Sequence, residues 1–180
     1  AHSCPGVNIV SYGGKDYTTV QIGTQCWLTQ NLDIGEQIMI GTNMQNNSVI
    51  EKYCYNDDPA NCAVYGGMYQ GDEALQYVFE PGTIGICPEG WHIPTEVDWA
   101  ALEGYTDSLI GPGSPIWYYW GQRGYDAGAK LKSSAGWNGN DQYGFSALPA
   151  GQVVGLGFGY LGTAAFFWTS DYGSPFRVNR

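Results

Sequence analysis

The stretch ICPEGWHIPTEVDWAAL, residues 86–102, holds Cys87 and His92, one of two histidines in the chain. A cysteine and a histidine this close raise the question of a thiol nucleophile. That chemistry needs a base to form the thiolate and a third group to orient the base. No orienting acid is evident, and Pro88, Gly90, Trp91 and Pro94 around the pair read as turn and packing residues. Cys87 is therefore expected to be structural and unpaired, and no catalytic residue is assigned.

Three other stretches carry residue types that could bind. GWNGNDQYG, residues 136–144, concentrates Asn138, Asn140 and Asp141 in a glycine-rich loop. Oxygen ligands on a flexible loop are what calcium uses, so a calcium site is one reading. The other is an Asx-rich turn, because Asn and Asp bond their own backbone. Asp57 and Asp58, inside CYNDDPANC, form a weaker second candidate. PIWYYWGQRGY, residues 115–125, sets Trp117, Tyr118, Tyr119 and Trp120 in succession. Four successive rings cannot share one face of an extended segment, and the flanking glycines and prolines argue against a helix. The segment is expected to be a surface loop whose rings contact a ligand or a partner; the alternative is that Trp117 and Tyr119 face the core while Tyr118 and Trp120 cover it. NNS at 46–48 is a formal N-glycosylation sequon on Asn46.

The remaining cysteines read as a covalent frame. Cys4 and Cys26 flank an expected hairpin, and Cys54 and Cys62 flank an Asn-Asp-Asp-Pro turn. Disulfides Cys4–Cys26 and Cys54–Cys62 are expected, which implies an oxidising compartment. There is no C-x-x-C, so a thiolate zinc site has no support.

Composition limits the partners. The chain has 180 residues, enough for one domain with a core, and a net charge of −10. Nucleic acid is disfavoured, because phosphate contacts need clustered Lys and Arg, and Lys130 with Lys132 is the sole small cluster. Aromatic residues, at 15%, outnumber charged ones, at 13%. The longest apolar run, AAFFW at 164–168, is far short of the roughly 20 residues that span a bilayer. The chain opens Ala1-His2-Ser3 without methionine, which reads as a processed or trimmed product.

These residues need elements to hold them. VNIVSY and YTTVQIG around GGKD predict a hairpin, with Thr18, Val20 and Ile22 on one face. Trp27, Leu28 and Leu32 are candidate core. TNMQNNS, 42–48, predicts an exposed loop, and DEALQYVF, 72–79, a short helix. Thr95 and Asp98 form a capping box at the start of a second helix, with Val97, Ala101 and Tyr105 as its apolar face. Short strands are expected within GFSALPAG and AFFWTS.

Five ordered motifs carry a resemblance: YTTVQIGTQCWLTQNLDIG, YCYNDDPANCAVYGGMYQ, GICPEGWHIPTEVDWAAL, AGAKLKSSAGWN and YGFSALPAG. The chain resembles the Fibrobacter succinogenes major paralogous domain, common in secreted and surface proteins of Bacteroidota and Fibrobacterota, over residues 4 to about 172. GWHIPTEVDW is also similar to a segment of formylglycine-generating-enzyme-like domains. The resemblance implies an α+β fold, a variant of the C-type-lectin-like fold: two helices, twisted antiparallel sheets and long loops. It further implies that the cysteine before the second helix pairs with one near the C-terminus. This chain ends SPFRVNR and has no late cysteine. Either the end is trimmed, or this is a short variant, or Cys87 pairs elsewhere. Residues 1–180 are read as one such domain, with the lack of its usual final segment left as an open alternative. Residues 111–125 read as an insertion. Nothing matches the catalytic cysteines of the formylglycine-generating enzymes. Asp-Ser-Leu at 107–109 resembles an O-glycosylation acceptor of Bacteroidota, with Ser108 as the modified residue. The expectation is a secreted or cell-surface, non-enzymatic recognition or adhesion domain. Its partner would be a glycan or an extracellular protein. The alternative is a structural subunit of a filament or surface layer, contacting further copies of itself, with an enzyme a distant third.

Overall fold

A computed structural model describes residues 4–119 and 121–171 as a mixed α+β chain. Seven short strands and four helices follow the order β1 (Ile9–Tyr12), β2 (Lys15–Ile22), β3 (Gln25–Leu28), β4 (Glu36–Gln37), β5 (Glu51–Lys52), α1 (Pro59–Tyr65), α2 (Gly71–Ala74), α3 (Glu96–Thr106), α4 (Ala127–Leu131), β6 (Gln152–Val154) and β7 (Gly157–Gly159). Strands β1, β2 and β3 form an antiparallel sheet in that order. β6 and β7 pair antiparallel, and β4 and β5 pair parallel.

The expected hairpin is β1–β2, but its turn is tighter than GGKD. Tyr12 pairs with Lys15, so only Gly13 and Gly14 turn, both at positive φ (59° and 80°). Two residues at positive φ make the turn that matches strand twist, and glycine takes it without strain. Burial in β2 does not follow a single face. Tyr17, Thr19, Val20 and Ile22 are buried, whereas Thr18 is exposed. Both faces of the strand are covered. Tyr17 accepts from the Asp33 amide (3.0 Å), while Val20 and Ile22 join the main core.

That core joins Val20, Ile22 and Trp27 of the sheet to Trp99 and Leu102 of α3, Leu131 of α4, and Phe145 and Ala147. The Trp27 and Trp99 rings lie 5.0 Å apart, and Phe145 meets Trp27 edge-on at 5.6 Å. α3 begins as expected: Thr95 Oγ1 accepts from the Asp98 amide, and Asp98 accepts from the Thr95 amide. Its buried face is not the expected one. Trp99, Leu102, Glu103 and Thr106 turn inward, and Val97 is 62% exposed. Trp99 and Leu102 set the orientation because their burial together outweighs that of Val97.

Other elements depart from the sequence expectation. CYNDDPANC is a turn followed by α1, with Asp58 capping the Ala60 amide (2.9 Å) and Pro59 in the first turn, where its missing N–H costs nothing. The 72–79 helix is only the four-residue α2, because Gln76 and Tyr77 adopt positive φ. GFSALPAG and AFFWTS contribute isolated bridges, Lys132–Ala147 and Gly151–Ala165, while the strands β6 and β7 lie between them. α4 was not anticipated from the sequence, and at five residues it is too short to show a helical period. Residues 42–48 form the expected loop, exposed except for Met44, whose amide donates to Gln70 Oε1 (3.0 Å). Both expected disulfides, Cys4–Cys26 and Cys54–Cys62, are formed.

Candidate functional site

A groove of about 1290 Å³ opens beside β3, between residues 29–32, 67–72, 86–94, 145–153 and 166–168. Its walls are rings: Tyr69, Trp91, Phe166 and Trp168 are half-buried or exposed, and Trp27 and Trp99 lie deeper. Amides stand among them, including Asn31, Gln70 and Gln152. Among the described residues, its carboxylates are Asp72 and Asp98, and no lysine or arginine lines it.

Local structure fixes these groups. Tyr69 clamps the chain at Ile34, its hydroxyl donating to the Ile34 carbonyl and accepting from the Ile34 amide, each at 2.9 Å. Burial raises its phenol pKa, so the hydroxyl stays protonated. The Tyr69 carbonyl in turn accepts from Trp168 Nε1 (2.9 Å), which holds that indole at the groove. Asp98 gathers the opposite side. It bonds the Thr95 amide and hydroxyl, accepts from Gln25 Nε2 (3.2 Å) and faces His92 Nε2 (3.2 Å). Burial pushes its carboxyl up, but the bonds from Thr95 and the His92 ring outweigh this and hold it below the usual range. Nearby, Gln25 Oε1 and Trp27 Nε1 are buried without a hydrogen-bond partner.

Cys87 and His92 both line the groove. The Cys87 thiol packs against Ile34, Leu75, Ile86 and Ile93, and burial pushes its pKa to about 12. At neutral pH it is a thiol, which is a poor nucleophile. His92 faces Asp98 at 3.2 Å, which corrects the expectation that no orienting acid stands near it. Among the described residues Cys87 has no disulfide partner.

The sequence profile of the Fibrobacter succinogenes major domain matches residues 20–178. The chain belongs to this family. No curated protein and no solved structure matches the chain. In this major domain, the matched span takes in β3, α1 to α4 and the groove walls from Gln25 to Trp168.

The four successive rings do not form one surface in this major domain. Trp117 is fully buried in a 3₁₀ turn at Pro115–Tyr118, packed on Ala100 and Ala127, with Nε1 donating to the Gly111 carbonyl (3.0 Å). The expectation that it contacts a partner is corrected. A tryptophan that meets its N–H partner internally gains most by burial. Gly124 makes room for it: a Cβ there, at φ +77°, would stand 2.7 Å from the indole. Tyr118 and Tyr119 are exposed, at 44% and 63%. Trp120 lies outside the described residues.

The 136–144 loop commits its oxygens to protein donors. Asn138 Oδ1 accepts from Lys132 Nζ (3.2 Å), and Asn140 Oδ1 from the Gln142 amide (3.2 Å). Asp141 accepts from the Ser146 amide (2.8 Å) and hydroxyl (2.6 Å). A cation there would compete with the Lys132 ammonium. Asp57 likewise accepts from the Ile40 amide (2.9 Å). Ser108 is exposed, but its hydroxyl donates to Asp126 Oδ2 and accepts from Lys130 Nζ, both at 2.6 Å. A glycan on Ser108 would remove the first of these bonds. Asn46 is exposed in its loop.

The groove was missed from sequence because its walls come from distant segments, each reading locally as core. The available signal was global: rings outnumber charges, and the GWHIP and AFFW stretches carry no lysine or arginine.

Proposed function

We propose that this chain is a secreted or cell-surface, non-enzymatic recognition domain that holds a glycan or an extracellular protein in its groove. One observation carries the reading: an open, ring-lined groove of about 1290 Å³ with amides in its walls and no lysine or arginine among the described residues. Large exposed ring surfaces usually mark binding sites. The two disulfides support an oxidising, extracellular setting. No helix of the described residues is long and apolar enough to cross a membrane. We read the architecture as a variant of the C-type-lectin-like fold, on the strength of α3 packed across a small antiparallel sheet with long loops around it.

A second reading is a structural subunit of an extracellular filament or layer. Leu109, Tyr118, Tyr119 and Tyr125 favour it, all exposed on one stretch of chain that copies could bury between them. Light scattering after size-exclusion chromatography, electron microscopy and a glycan and matrix-protein array separate the two. A monomer that binds the array supports recognition. Regular polymers that bind nothing on the array would replace it with the subunit reading.

A further inference from the structure

We infer that the ligand of the groove is a neutral, hydroxyl-rich oligosaccharide, which rests on the recognition reading above. The polar groups that the fold leaves unused point to that chemistry. Asn31 Nδ2 is committed to the Tyr65 carbonyl (2.7 Å), but Asn31 Oδ1 has no protein partner. Among the described residues the same holds for Trp91 Nε1, for both ends of the Gln152 amide and for the Asp72 carboxylate. The set mixes a donor only (Trp91), acceptors only (Asn31 Oδ1, Asp72) and a group that does both (Gln152). A sugar hydroxyl both donates and accepts, so a chain of hydroxyls can meet all of them.

The rings supply the other half. Trp91 and Trp168 offer flat faces at the groove, and the C–H faces of a sugar ring stack on such surfaces. Charge then narrows the class. Among the described residues Asp72 and Asp98 line the groove without a lysine or arginine, and they repel phosphate, sulfate and uronate. A cationic ligand would meet one unengaged carboxylate, Asp72, because Asp98 is already taken by Thr95, Gln25 and His92. An extended peptide is disfavoured by placement. The free groups sit on four separate segments of the chain, whereas strand addition uses a row of backbone groups along one edge.

The test uses the full chain with a panel of neutral hexasaccharides (gluco-, manno-, xylo- and galacto-configured), with hexagalacturonate as the anionic control. Binding is read by tryptophan fluorescence and calorimetry. At least one neutral chain is expected to bind, and hexagalacturonate is not. Trp91→Phe keeps the ring and removes the N–H. It and Gln152→Ala are each expected to weaken binding about three- to tenfold, the scale of one hydrogen bond, with melting temperature unchanged. If every neutral chain is silent, or hexagalacturonate binds more tightly, the sugar assignment is overturned. If the sugars are silent while Gln152→Ala weakens capture on immobilised matrix protein, recognition in the groove stands and only the ligand class falls.

Discussion

Trp117, Tyr118 and Tyr119 are adjacent in sequence and opposite in role. Trp117 is fully buried against Ala100 and Ala127, and the two tyrosines face solvent. Trp117→Ala should therefore cost about 3–5 kcal/mol, the range for removing a large buried ring. Tyr118→Ser and Tyr119→Ser should each stay within about 0.5 kcal/mol. Urea unfolding of the three variants checks this, and equal costs at all three positions would contradict the placement. The 136–144 loop belongs to the same scale. Its oxygens already accept from Lys132, Gln142 and Ser146. A ligand bound only by the folded state raises the melting temperature. Calcium and chelator are expected to leave it unchanged, and a calcium-dependent rise would restore the metal reading.

At the scale of elements, one carboxylate joins two helices. Asp107 caps the end of α3. Its Oδ1 accepts from the Leu109 and Ile110 amides (2.9 Å each), and its Oδ2 from the Tyr125 amide (2.6 Å) and the Asp126 amide (3.0 Å) at the start of α4. Burial alone would push its pKa up, but these four amides outweigh it and bring the carboxyl down to about 2. The folded value lies below the unfolded one of about 3.9. The stabilisation is therefore complete above about pH 4 and lost as pH falls toward 2. Asp107→Asn should lower the melting temperature at pH 7, and its deficit against the parent should shrink between pH 4 and pH 2. A deficit constant with pH would mean that charge at Asp107 is irrelevant. The disulfides act at the same scale. Cys4–Cys26 closes a separation of 22 residues and Cys54–Cys62 one of 8. By the chain-entropy argument each contributes about 3 kcal/mol, the shorter loop slightly less. Cys4→Ala/Cys26→Ala should thus destabilise the fold somewhat more than Cys54→Ala/Cys62→Ala, read by urea midpoint.

For the whole molecule, charge and groove make separable statements. The chain carries −10 overall, yet among the described residues the groove holds two carboxylates, one of them internally engaged. A neutral ligand bound there makes no ion pair, so its affinity should barely change with salt. A partner drawn to the acidic surface should be lost as the screening length falls from about 10 Å at 0.1 M to about 3 Å at 1 M. Binding measured across that range distinguishes groove from surface. Tenfold weakening would place the contact on the charged exterior.

Local chemistry was legible in the sequence where the deciding contacts are close along the chain. The Thr95–Asp98 capping box, the β1–β2 hairpin and both disulfides depend on neighbours or on one short loop, and the ordered motifs were enough to indicate the family. Side-chain direction was not legible. Val97 and Tyr105 share an apolar spacing, but α3 rotates to bury Trp99 and Leu102 because Trp27 and Phe145 wait on that side. Trp117 reads as a loop ring until Ala100, Ala127 and Gly124 are seen to form its slot. The groove needed the tertiary structure most. Asn31, Asp72, Trp91 and Gln152 are up to 121 residues apart (152 − 31), and only packing of the chain brings them around one space. Sequence spacing fixes contacts within a turn or a hairpin, whereas burial of the largest rings decides which distant surfaces meet.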